Sequence, residues 1–395
     1  MKKLLIIGAS ILQLPAIKRA KELGFYVAVA DYNPNAVGIA YADEYFNVST
    51  IDIEGVTEVA RKFCPDGIMT LATDMPMRAI AAACSALGLA GISMDTAIKS
   101  TDKGEMIKAF SAGGVEHPWF HIVRDRTELD AIKNNIDFPA VMKPTDNSGS
   151  RGVALVTNLA EQETAYSYSE NASRSGAVII EEYMCGDEVS VEIMVSDGTP
   201  CVLAVTDKLT TGAPHFVEMG HNQPSRLCPE TVEKIKDLAC RAVLSVGIKS
   251  GPAHVEIMST AAGPKMVELG ARMGGDCITT HLVPLSTGID MIEATIRTAC
   301  GQMPDIAPKF ERGSAIRYFD VPAGKIAGIF GVEDARAVDG VREISFVKGI
   351  GDEVGSIGSS TDRVGFVIAD GESAEAAIDA CETAVSLVKF QMARD

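Results

Sequence analysis

Short apolar runs alternate with helical repeats over residues 1 to about 95, and this alternation restricts the fold more than any other feature of the chain. Lys3–Ile7 reads as a buried strand. Leu12–Leu23 has helical spacing and stops at Gly24, and Tyr26–Ala30 reads as a second strand ending at Asp31. The spacing then predicts a helix over Val56–Lys62, a strand over Gly67–Leu71, and a helix over Met77–Leu87 with Gly88 as its stop signal. Strands that are apolar on both faces, separated by helices, form a parallel sheet with both faces covered. The basic and apolar N-terminus also invites a secretion signal. Gly8, Ser10 and Gln13 interrupt it, so it reads as the first strand–turn–helix unit. The turn at Gly8 with Asp31 beyond it invites a dinucleotide fingerprint, but the second and third glycines are missing.

A chain of 395 residues is too long for one ordinary core, so two or three domains are expected. A net charge of −17 argues against nucleic-acid binding, which needs a basic field. A nucleotide needs only a local cluster of cations. Nine scattered cysteines without a C-x-x-C pair suit reduced thiols and a cytoplasmic protein. No apolar run approaches the roughly 18 residues of a membrane span, and Ala79–Ala90 suits a buried helix. Pro118 lies between His117 and His121, so they form no helical metal pair.

Ser100–Ser111 reads as one capped helix carrying Lys103 and Lys108. Strand signals follow at Trp119–Val123, Ala140–Lys143, Val153–Val156 and Val178–Glu181, with a helix at Thr127–Asn134. They suggest a small α+β lobe. Amphipathic helices are expected at Glu230–Val246 and Ile289–Cys300. The tail from 313 should hold strands at Ala315–Val321, Val341–Val347 and Arg363–Ala369 and one helix, Ala374–Gln391. The division expected is an N-terminal α/β domain (1–95), a central lobe (96–188), and a third lobe (189–395) with a subdomain from about 313.

Gly251–Asp276 concentrates the chemistry. His254–Ile257 and Lys265–Leu269 alternate with period two, and a turn is expected at Gly263-Pro264. Hairpin pairing would put Glu256 and Glu268 on one face. Two carboxylates so close call for a cation between them, and hard oxygen ligands suit Mg²⁺ or Mn²⁺ with phosphate oxygens completing the shell. A surface hairpin with solvated acids is the plain alternative. Val141 to Val153 is a strand, a Gly/Ser-rich turn and a strand, with Lys143 and Arg151 flanking small residues that let backbone N–H groups approach phosphate. It is not a Walker A loop, and an ordinary hairpin turn would look the same. Ile179–Glu192 is an apolar strand, an acidic bend and an alternating strand. Such a bend suits an adenine slot, and Glu188 is placed for a ribose; a solvated acidic turn is the alternative.

Lys103, the Lys143 glycine loop, the Glu181–Glu188 bend and the Glu256/Glu268 pair stand in an order that resembles the ATP-grasp superfamily of carboxylate–amine ligases. The resemblance covers nearly the whole chain. It implies an α/β fold in which an open parallel-sheet domain precedes two α+β lobes that sandwich ATP. It implies that Lys103 meets the α-phosphate, that Lys143 reaches the phosphates and the adenine edge, and that Ser148, Gly149 and Ser150 cover the β- and γ-phosphates. Glu181, Glu182 and Tyr183 would hold adenine, Glu188 the ribose, and Glu256 and Glu268 the metal. Many members carry Asn two residues after the second glutamate; here that position is Gly270. Arg272, ahead of Gly274-Gly275, resembles the arginine that steadies the transferred phosphoryl group, and with Lys143 it is the expected catalytic group. A structural pairing of Arg272 with Glu268 is the alternative.

The implied reaction is attack of a substrate carboxylate on the γ-phosphate of ATP, then displacement of phosphate from the acylphosphate by an amine. Pro214–His221 resembles the matching stretch of the L-amino-acid ligases, which points to small amino-acid-like carboxylate and amine substrates. Glu218 would then face an ammonium, and His221 or Arg272 a carboxylate, near Gly274 and Gly275. The rivals are a purine-type ribotide ligase, an NAD-dependent oxidoreductase, and a protein that binds ATP only as an effector. A homodimer is the base-rate expectation.

Overall fold

The strand Lys3–Ile7 lies inside a four-stranded parallel sheet in the order Glu44–Phe46, Tyr26–Ala30, Lys3–Ile7, Gly67–Met69. Four of the five residues in each of the two central strands are fully covered, as their unbroken apolar character requires. The computed structural model describes residues 1–393 apart from 148, 150, 214 and 215. Helices Leu14–Glu22, Ile53–Phe63 and Met77–Leu87 flank this sheet. Asp52 caps the second by accepting from the Gly55 N–H, and Gly88 ends the third in the left-handed region. The Gly8 turn is filled from within. Asp31 accepts from the Ala9 N–H at 2.8 Å and the Asn33 N–H at 2.9 Å, and the Gln13 side chain packs against Gly8. A carboxylate so engaged is not presented to a ribose, which weakens the dinucleotide reading.

The single helix expected over Ser100–Ser111 is two: Met94–Lys99 and Lys103–Ala112. Asp102 sits between them with extended backbone and caps the second through the Glu105 N–H. The Lys103 N–H donates to the Thr145 carbonyl at 2.8 Å, pinning the helix start to the end of the strand Ala140–Pro144. That strand belongs to an antiparallel sheet ordered Phe120–Val123, Val178–Glu182, Ala140–Pro144, Ala154–Val156.

The third sheet has eight antiparallel strands. Its order is Gly263–Gly270, Gly251–Thr260, Gly186–Ser196, Thr199–Thr210, Glu218–Gln223, Gly313–Tyr318, Gly365–Gly371 and Val341–Phe346. Val191, Ile193, Val255 and Ile257 pack with Leu238 and Ala242 of the helix Pro229–Ser245. The same core continues into Leu5 and Ile80 of the first domain, so the parts share one apolar interior. Two expectations are corrected here. Gly263 and Pro264 open a strand; the turn is Ala261-Ala262, closed by the Thr260 hydroxyl on the Gly263 carbonyl. The last helix stops at Leu387 instead of Gln391, and Lys389–Met392 pairs with Gly324–Phe330. Val388 is extended, and the alternation after it places Phe390 against Phe319 and Phe346. Among the described residues no helix is long and apolar enough to cross a membrane.

Candidate active site

The hairpin of Gly251–Thr260 and Gly263–Gly270 sets Glu256 directly opposite Glu268, with a register shift immediately after Glu256. The two carboxylates face a cleft of about 320 Å³ between the hairpin and the four-stranded antiparallel sheet. Each is held by cations. Glu256 lies 3.0 Å from Lys208 Nζ and 3.2 Å from His254 Nε2, and Glu268 lies 2.9 Å from Lys103 Nζ. Burial pushes both carboxyls up, but Lys208 beside Glu256 and Lys103 beside Glu268 more than reverse this, and both stay ionised at neutral pH. Two adjacent ionised carboxylates fit a hard divalent cation. Mg²⁺ takes most of its shell from phosphate and water, so two protein carboxylates are a donor set it can use.

Lys143 and Glu181 sit on neighbouring strands, both buried, 2.6 Å apart. Lys103 also donates to the Asn147 carbonyl at 2.9 Å, so one ammonium links the helix start, the hairpin and the glycine loop. Gly149 reaches the cleft with φ of +67°, a conformation that favours glycine; Ser148 and Ser150 lie outside the described residues. Glu182 is bound by Lys265, and its N–H donates to the Trp119 carbonyl. Tyr183 faces Phe216 across 6.2 Å. Glu188 lies 2.6 Å from Lys208, and burial holds its carboxyl above the usual range.

Lys208 escaped the sequence reading. Its side chain is 4% exposed and its ammonium joins Glu188, Glu256 and, at 3.6 Å, Glu218. Glu218 and His221 lie on the strand Glu218–Gln223. His221 Nε2 is 3.5 Å from Asp276. Arg363 grips both oxygens of Asp276 at 2.8 Å, donates to the Glu218 carbonyl, and lies 3.8 Å above the Tyr318 ring. Asp276 and Arg363 were also missed. Every described residue expected from the resemblance to meet nucleotide, metal or substrate lines this one cleft except Gly274. Gly274 lies just behind, where a Cβ would come within 2.6 Å of His254 Nδ1.

Residues 136–280 match the model of the ATP-grasp domain, and residues 317–393 match that of the L-amino acid ligase C-terminal domain 2. The chain belongs to the ATP-grasp superfamily. Superfamily membership carries ADP-forming carboxylate–amine ligation through an acylphosphate, an enzyme chemistry that makes C–N bonds. Among curated relatives, alanine–anticapsin ligase of Bacillus subtilis (strain 168) is 26% identical over 316 residues; the match covers 74% of this chain and 66% of that one. The crystal structure of an L-amino acid ligase from Bacillus licheniformis superposes with a TM-score of 0.85 at 21% identity, covering 100% of this chain and 99% of that one. Phosphoribosylglycinamide synthetase from Anaerococcus prevotii gives 0.80 at 23% identity, covering 99% and 100%. At such identities the two structures establish the ATP-grasp fold alone.

One departure from the common ATP-grasp pattern has a local cause. A Cβ at Gly270 would lie 2.5 Å from Asp74 Oδ1 and 3.1 Å from the Arg272 guanidinium. The Asp74–Arg272 pair, at 2.9 and 3.0 Å, fills the space that an asparagine would need. The partner of Arg272 is thus Asp74 of the N-terminal region, not Glu268.

Proposed function

We propose that this chain is an ATP-dependent carboxylate–amine ligase acting on amino-acid-like substrates. The observation that carries the reading is one continuous cleft. It collects Lys103, Lys143 and the Glu256/Glu268 pair together with Glu218, His221 and Asp276, with Lys208 bridging Glu188, Glu256 and Glu218 and Arg363 holding Asp276. The match of residues 317–393 to an L-amino acid ligase C-terminal domain supports the substrate class, because that segment supplies Arg363, which holds Asp276 and the Glu218 carbonyl, and Tyr318 beneath it.

In this reading the bend Glu181–Tyr183 receives adenine and Glu188 the ribose. Lys103 and Lys143 neutralise phosphate oxygens, with Ser148, Gly149 and Ser150 above them. Glu256 and Glu268 would hold Mg²⁺, which supplies charge neutralisation at the phosphoryl oxygens. Arg272, fixed by Asp74, presents a planar donor pair to the migrating phosphoryl group and then to the acylphosphate. The substrate carboxylate oxygen attacks phosphorus and ADP leaves. The amine nitrogen then attacks the acyl carbon and phosphate leaves. Glu218 faces the ammonium of an amino acid, and His221 a carboxylate. Neither step needs a covalent link to the protein.

The test is ADP release in Mg-ATP over pairs of amino acids, set against phosphoribosylamine with glycine. Release with amino-acid pairs, and none with the ribosyl phosphate, is expected. Release with the ribosyl phosphate alone would replace this reading with the purine-type one. Glu218→Ala and His221→Ala should alter substrate KM or kcat and leave ATP affinity nearly unchanged. Loss of ATP binding in both would move this strand to the nucleotide half.

A further inference from the structure

A second groove of about 420 Å³ reaches the phosphoryl end of the cleft from another side. It shares Lys103, Asn147 and Glu268 with the main cleft but none of the Glu181–Met184 bend. Its other walls are Asp74, Met75 and Arg78 of the N-terminal region, and Asp146, Arg174 and Ser175 beside the glycine loop.

The charges in this groove are unevenly matched. All three of its carboxylates are engaged. Asp74 holds Arg272, Glu268 holds Lys103, and Asp146 accepts from the Ser173 hydroxyl and the N–H groups of Arg174 and Ser175. The two arginines have only neutral acceptors. Arg78, half-buried, donates from Nε to the Thr101 hydroxyl at 2.9 Å, and the exposed Arg174 meets the Met75 sulfur through Nη2 at 2.7 Å. Neither forms an ion pair among the described residues, in a chain whose net charge is −17. A guanidinium satisfies its donors best on a planar or tetrahedral oxyanion, and a thioether is a poor substitute.

We propose that this groove seats an oxyanion at the phosphoryl end of the active site, through Arg78 and Arg174. Two sources share that chemistry: the orthophosphate expelled when the amine attacks, and an acidic group carried by a substrate. The first would let phosphate leave while ADP still occupies the main cleft. The proposal rests on the ligase reading for the source of the anion, but the seat itself can be tested by binding alone.

Arg78→Gln, Arg174→Gln and the double variant are titrated calorimetrically with inorganic phosphate in the presence of Mg-ADP, and assayed with neutral and with acidic amino-acid pairs. If the seat takes product, phosphate affinity falls about tenfold or more in the double variant, and kcat/KM falls no more for acidic than for neutral substrates. If it takes a substrate group, kcat/KM falls about tenfold for acidic substrates only. Arg78→Lys should recover part of either loss, because it keeps the charge. Phosphate affinity and acidic-substrate kinetics both within twofold of the parent would overturn the proposal. An equal loss with neutral and acidic substrates at unchanged phosphate affinity would assign the arginines a structural role and also overturn it. Phosphate binding that depends on Arg78 and Arg174 in a protein that ligates no amino acids would sink the ligase reading and leave the seat standing.

Discussion

Glu256 and Glu268 are separated by one cross-strand step, and each answers to its own lysine. Glu256→Gln and Glu268→Gln keep the shape and remove the charge. Each should lower kcat by at least about 100-fold while thermal unfolding stays cooperative, since a charge that stabilises the reacting phosphoryl group is lost. Near-normal turnover at low Mg²⁺ in either variant would make the hairpin ornamental. Gly270 offers a sharper test. Restoring the asparagine common in the superfamily should reduce turnover instead of adding a metal ligand, because the new side chain must displace the Asp74–Arg272 pair. Steady-state rates over a Mg²⁺ titration decide it; higher Mg²⁺ affinity with undiminished kcat in Gly270→Asn would show that the space is there after all.

The strand Glu218–Gln223 and the turn after Gly270 are joined through Arg363 to the start of the strand Gly365–Gly371. Burial raises the Asp276 carboxyl, but its hydrogen bonds to Arg363 and His221 outweigh that and hold it well below the usual carboxylate range. A carboxyl depressed in the folded state stabilises above its unfolded pKa, near 3.9, and that contribution fades as pH falls from there toward the lower folded value. Asp276→Asn should therefore cost about 3 kcal/mol at neutral pH, the cost of leaving Arg363 buried and unpaired. The gap between parent and variant should hold from pH 5 to 8 and narrow below about 4. Urea unfolding across that range measures it, and a gap that widened in acid would contradict the assignment. The contrast with Glu256 and Glu268 explains what the sequence could reveal. Period-two alternation on either side of one short turn put the two glutamates together before any coordinates. Lys208 reaches Glu256 across 48 positions, Arg363 reaches Asp276 across 87, and Arg272 reaches Asp74 across 198. No local pattern encodes such meetings; they follow from strand order. Lys208 left one faint trace, a lysine three residues beyond the apolar run Val202–Val205. The last helix was overrun for a related reason. Ala374–Leu387 propagates well, and only the packing of Phe390 against two distant rings turns its continuation into a strand.

Three of the four strands of the parallel sheet were legible because they are almost wholly apolar; the short edge strand Glu44–Phe46 opens on an exposed glutamate and was not, and the eight-stranded sheet draws strands from 186 to 371 and could not be assembled from sequence. The Asp74–Arg272 pair ties these two bodies together at the wall of the cleft. Nucleotide filling the cleft should therefore stabilise the whole molecule: Mg-ATP should raise the melting temperature and NAD should leave it unchanged. The central claim is that a substrate carboxylate is phosphorylated before an amine displaces phosphate. It is tested most directly with amino acids carrying ¹⁸O in the carboxylate, incubated with the enzyme, Mg-ATP and an amine, followed by mass analysis of the phosphate released. An acylphosphate passes one labelled oxygen to each phosphate formed. Phosphate free of label, with ADP and amide product still accumulating, would contradict the account.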